Sequence, residues 1–130
     1  MSFISVLIAA AGSWVFGAMW YMALAKPWVK AANIDVDENG RPTNASPLPY
    51  ILSAIAMIVV AGMMRHMFIM AGIADVSKGI MSGVGVGLFF ISPWIMINNA
   101  YGDRPFKLTL IDSGYAVIGC GIMGLLLTVI

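Results

Sequence analysis

Asp112 lies about two turns inside an apolar stretch covering 108–130. A carboxylate at that depth in hydrocarbon costs about 3 kcal/mol on insertion scales. It must therefore face a cavity, pair with a cation, or carry a proton. Nearness to a helix N-terminus offsets part of the cost. Lys26, Arg104 and Lys107 are the cations expected at the same end of the molecule. Tyr115, three residues on, shares a helix face with Asp112 and is placed to hydrogen-bond whatever Asp112 binds. Asn98 and Asn99 end the preceding apolar stretch at the same level. Such a set suits either a polar lock between helices or a proton or cation site. No serine, histidine and acid set falls on one level, and no paired carboxylates occur, so no catalytic machinery is visible and the expectation is a non-enzyme.

Other motifs carry less. Met63, His66, Met67 and Met70 share one face near the end of a second apolar stretch, and thioether and imidazole ligands suit Cu(I) or a haem iron. Methionine is a common gap-filler, however, and the neighbouring Arg65 would repel a metal ion, so these residues are read as an interfacial rim. Asp35, Asp37 and Asn39 match the first half of a calcium loop. The twelfth position is Ser46 rather than a bidentate Glu, Pro42 occupies the usual aliphatic position, and Asn39-Gly40 is itself a turn signal. Gly119-Cys120-Gly121-Ile122-Met123-Gly124 fits a dinucleotide fingerprint but has no preceding strand. Asn44-Ala45-Ser46 is a sequon of a kind frequent by chance. Cys120, the one cysteine, excludes an intrachain disulfide and reads as a packing residue. No metal and no cofactor is expected.

The elements that position these residues follow from composition. Of 130 residues, 61% are hydrophobic and 10% charged, with a mean hydropathy of +0.93. A soluble domain carries roughly a quarter charged residues, so this chain belongs in lipid. Its net charge of +1 gives no reason to expect nucleic acid as a partner. Four apolar runs cover about 3–24, 48–71, 79–97 and 108–130, each near the ~20 residues that cross ~30 Å of hydrocarbon. Lipid leaves no water for unpaired backbone groups, and continuous rather than alternating apolar runs predict helices instead of a barrel. The fold class expected is all-α: a polytopic membrane protein built as a single four-helix bundle, with one sizeable polar loop at about 29–46. The first run has no basic leader and is too long for a signal-peptide core, so it is read as a span; no lipidation box is seen. Pro27 is expected to close the first span, Pro47 to start the second and Gly72 to cap its end. Asp103, Arg104 and Pro105 are expected to open the fourth. The short link after the second span predicts that the second and third spans are antiparallel neighbours.

Loop charge orients the bundle. Lys26, Lys30, Arg41, Arg104 and Lys107 lie in the first and third loops, against Arg65 and Lys78 on the other side. The positive-inside rule places loops 1 and 3 in the cytoplasm and both termini outside. Trp20, Tyr21, Trp28, Tyr50, Trp94, Tyr101, Phe106 and Tyr115 collect at that same end, as an aromatic belt or a binding surface. Small residues recur every fourth position: Gly79, Gly83 and Gly87, with Gly85 interleaved, in the third span, and Ala9, Ser13 and Gly17 in the first. Gly114, Gly121 and Gly124 give the fourth span a similar face. Such grooves let backbones approach closely, within the bundle or against another subunit.

The first span ends Gly17-Ala18-Met19-Trp20-Tyr21, followed by Leu24, Lys26 and Trp28. The third loop and fourth span read Asn98 or Asn99, Arg104-Pro105, Leu108, Ile111-Asp112-Ser113-Gly114-Tyr115 and Gly124. Over nearly its whole length the chain resembles the bacterial four-helix membrane family known as domain of unknown function seventeen sixty-one. The resemblance implies a multi-pass protein of the bacterial inner membrane and no assigned activity. The family often has Asn where this chain has Asp112, which weakens a proton-relay role there. Three functional readings result. The first is a structural or accessory subunit that packs against a membrane complex or against copies of itself. The second is an oligomeric permeation protein for a small solute or ion. The third is an enzyme acting on lipid headgroups near Lys26, Arg104 and Asp112.

Overall fold

The computed structural model describes residues 2–38 and 47–130. The described residues form helices and no β-strand: α1 (Phe3–Ala23), α2 (Ala25–Ala32), α3 (Leu48–Ala71), α4 (Val76–Gly85), α5 (Ser92–Tyr101) and α6 (Phe106–Val129). A π-helical stretch, Val86–Ile91, joins α4 to α5, so that Val76–Tyr101 is one continuous span. With α1, α3 and α6 this makes four helices long and apolar enough to cross a membrane. The protein is an all-α, multi-pass four-helix bundle.

The element ends follow from local chemistry. The third span starts earlier than its apolar run because the Asp75 carboxylate accepts the Lys78 N–H at 3.1 Å and caps α4. It also runs on through Asn98 and Asn99 to Tyr101. Gly72 closes α3 as expected, with φ 72° and the Ile73 N–H donating to the Phe68 carbonyl at 2.8 Å. Asn33 and Asp103 take the same left-handed position after α2 and α5, at φ 57° and 56°. Asp103 therefore ends α5 rather than opening α6, and the Arg104 N–H donates to the Asn99 carbonyl at 2.8 Å. The stretch expected to be loop from residue 29 instead begins as helix, α2. Pro27 is its third residue, where a missing N–H has no intrahelical partner to lose.

α6 occupies the centre. In its most apolar stretch 44% of residues are buried, against 33% in α1, 17% in α3 and 11% in the third span. α1 and the third span pack on α6, and α3 packs mainly on α1. The core joins Val6, Ala9 and Ala10 of α1, Ala61, Met64 and Phe68 of α3, and Cys120, Met123 and Leu127 of α6. The second and third spans are antiparallel but are not packing neighbours, contrary to the expectation from their short link. A short link sets direction only; small residues choose the partner, and those of the third span face α6.

The glycine spacing is used inside the bundle. A Cβ at Gly83 would overlap the Cys120 carbonyl, one at Gly79 the Gly124 carbonyl, and one at Gly87 the Ala116 carbonyl. Gly124 is reciprocally pressed on the Gly79 carbonyl, and a Cβ at Gly121 would lie 3.0 Å from Val84 Cγ2. On α1, Ala9 is fully buried, the Ser13 hydroxyl donates to the Gly119 carbonyl, and Gly17 lies under the Tyr115 ring. Trp20 covers Gly114. These faces are thus not spare surface for a second subunit. Gly85 differs, with no atom within 4 Å of its Cβ position.

Candidate functional site

The polar seam between α1 and α6 is built from consecutive residues on each helix. Trp20 and Tyr21 end α1 and straddle its line of contact. The Trp20 indole N–H donates to the Ile111 carbonyl at 2.9 Å. The Tyr21 hydroxyl donates to Asp112 Oδ1 at 2.7 Å. From the other side, the Asn99 amide of α5 donates to Thr109 Oγ1 at 3.2 Å. Asp112 thereby ties α1 to α6, and Thr109 ties α5 to α6. A short, charge-capable hydrogen bond in low dielectric is among the stronger polar contacts a bundle can make.

Aromatic rings close the seam. Tyr21 meets Trp28 of α2 edge-on with centroids 6.0 Å apart, and Tyr115 at 5.5 Å. Phe16 lies 5.7 Å from the Trp20 ring and 6.1 Å from the Tyr115 ring. Tyr115 does not share the ligand of Asp112, as its helix position suggested. Its hydroxyl turns away and donates to Met57 Sδ of α3 at 3.2 Å. A further tie to α3, this one from α1, is the Trp14 indole N–H, which donates to Ser53 Oγ at 2.9 Å.

Among the described residues the cations proposed as partners of Asp112 are engaged elsewhere or face outward. Arg104 donates to the Ala32 carbonyl at the end of α2, where a cation also complements the helix dipole. Lys26 and Lys107 are exposed, and so is Asn98. Long cationic side chains near a span end reach the headgroup level and stay solvated, whereas a tyrosine hydroxyl is already at the seam. Of the predicted site residues, Trp20, Tyr21, Trp28, Asn99, Asp112 and Tyr115 come together. Lys26 and Asn98 do not, and Arg104 joins through α2 alone.

The weaker candidates separate as well. Met63, His66, Met67 and Met70 all lie on the exposed side of α3, with Met63 57% and Met70 74% accessible. No group of three or more His, Cys, Asp or Glu placed to hold a metal occurs among the described residues. Asp35 and Asp37 are exposed after α2; Asn39, the rest of the calcium-like segment and the sequon lie outside the described residues. Features missed from sequence are Thr109, Met57 and the π-helical stretch before Ser92-Pro93. A Ser-Pro pair inside a long apolar run is the signal for the last. Pro93 cannot donate, and both the N–H and hydroxyl of Ser92 go to the Gly87 carbonyl, the latter at 2.7 Å.

No curated protein and no solved structure matches the chain. The pattern of residues now placed in space runs from the end of α1 through Trp20 and Tyr21 to Ile111, Asp112 and the glycines of α6. It falls within residues 4–128, which match the family model described as protein of unknown function (DUF1761), and the chain belongs to that family.

Proposed function

We propose that the protein is a structural, non-catalytic membrane subunit that assembles through the outer face of α3 with a larger membrane complex or with copies of itself. The observation that carries this reading is the uncovered face of α3. Ile51, Ile55, Val59, Met63, Met67 and Met70 are all exposed along it, while the opposite face is held by α1. Thioether side chains adapt to irregular partner surfaces. Behind that face the molecule is tied by the Asp112 seam, which suits a fixed platform. Mild detergent extraction followed by native mass measurement tests the reading. The expected species exceeds the 13.9 kDa chain and falls to it when Ile55 and Val59 are changed to Trp. A monomer with no co-purifying partner overturns it.

Orientation belongs to the same proposal: loops 1 and 3 on the cytoplasmic side of a bacterial inner membrane, both termini outside, by the excess of Lys and Arg in those loops. Single cysteines placed at Asp35 and Ala74, labelled from one side in intact cells, distinguish the two senses. A second reading, ion or small-solute permeation, draws on the carboxylate of Asp112 at membrane depth. It requires proteoliposome flux that falls on Asp112→Asn.

A further inference from the structure

Between α5 and α6 lies an open crevice of about 250 Å³. Leu88, Ser92, Pro93 and Met96 form one wall; Phe106, Thr109, Leu110 and Ser113 form the other. Three hydroxyls in a crevice between membrane spans are unusual, because each polar group there needs a partner. Two have one: Ser92 donates to Gly87, and Thr109 accepts from Asn99, which leaves the Thr109 hydroxyl hydrogen to donate. Ser113 Oγ is buried and has no hydrogen-bond partner among the described residues. A serine in a helix ordinarily donates to the carbonyl four residues back; this one does not, and Ser113 lines the crevice.

The crevice owes its shape to the third span. α4 is pinned to α6 by glycines, whereas α5 contributes no buried residue. The π-helical stretch and Pro93 lie where the two halves meet, and such stretches are frequent at functional sites. The volume is below the ~300 Å³ lower bound of small-molecule pockets, so it takes part of a chain rather than a whole compact ligand. Phe106 of the lining and its exposed chain neighbour Lys107 begin α6, which puts an aromatic ring and a cation near that end of the span.

We propose that this crevice is a binding site for one anionic glycerophospholipid. An acyl chain lies between α5 and α6, the ester carbonyls accept from Thr109 and Ser113, and the phosphate is drawn to Lys107. Apolar walls, donors part way down and a cation at the top follow the order of groups along such a lipid.

The purified full chain in neutral detergent is mixed with equal amounts of dioleoyl phosphatidylglycerol and dioleoyl phosphatidylcholine and read by native mass spectrometry. One phosphatidylglycerol is expected to stay bound, favoured about tenfold or more. Lys107→Gln should reduce that preference several-fold, and Leu110→Trp, which fills the crevice, should abolish retention. Ala54→Leu, in the groove between α1 and α3, should leave it unchanged. A phosphatidylglycerol with a photoactivatable acyl chain tests the unaltered protein, with labelling expected at Met96 and Leu110. Equal retention of the two lipids, or labelling spread over α3 to the same extent, overturns the proposal.

Discussion

At the residue scale, one hydroxyl and one carboxylate hold the ends of α1 and α6. Interhelical hydrogen bonds in membranes average about 0.6 kcal/mol and reach about 1.7, and a carboxylate acceptor belongs at the upper end. Tyr21→Phe should therefore cost about 1 kcal/mol in a detergent unfolding titration. Asp112→Asn keeps an acceptor oxygen for Tyr21 and should cost less, while Asp112→Leu removes the partner of Tyr21 and should cost more. A double-mutant cycle of Tyr21→Phe with Asp112→Leu should return a coupling near the single cost of Tyr21→Phe; additive effects would mean that the bond contributes nothing. The place of Asp112 was legible because a lone carboxylate in an apolar run is conspicuous. Its partner was not, because formal charge draws attention to Lys26, Arg104 and Lys107. Geometry decided otherwise: cations near a span end remain hydrated at little cost, and the neutral hydroxyl of Tyr21 was within reach.

At the element scale, the third span is two helices with different attachments. Its α4 half rests on α6 backbone to backbone, so Gly83→Ala must push two helices apart and should destabilise by about 2 kcal/mol. Gly85→Ala, two residues away with open space at its Cβ position, should be neutral or stabilising by about 0.5 kcal/mol. Equal effects at the two positions would count against the packing described. The spacing of glycines was readable from sequence; which helix they meet was not, because spacing defines a face and leaves its partner open. The π-helical stretch absorbs one extra residue, so removing one from it, for instance Phe89, should let it close as α-helix with α5 in nearly its present register. Asn99 would keep Thr109, and Asn99→Ala should cost about 1 kcal/mol with or without the deletion. α2 escaped prediction because Pro27 reads as a terminator, although a first-turn proline is no obstacle to a helix.

At the scale of the whole molecule, four spans and their alternating direction were legible because hydropathy and length decide them. Their lateral order was not: α3 beside α1, α1 beside α6, and the third span on the far side of α6. That order makes the link between Gly72 and Asp75 a connection between helices that do not pack on each other. Cutting the chain there should leave two fragments, one with α1 and α3 and one with α4 to α6, that reassociate along the α1–α6 seam. Co-expressed as separate pieces with a tag on one, they should co-purify in mild detergent, and Tyr21→Phe should lower the yield. Failure of the unaltered fragments to associate would show that the seam alone does not hold the bundle.

The same lateral order sets a timetable. Ribosomes add on the order of 10 residues per second, so α1 and α3 meet while the rest of the chain is still being made. The third span enters the bilayer without its partner and waits a few seconds for α6. During that interval Gly79, Gly83 and Gly87 offer a bare backbone groove to whatever helix is near. α6, made after the other three spans, is thus the one that shields the nascent protein from mispairing, and a ribosome that stalls before α6 leaves a product whose stickiest surface is uncovered.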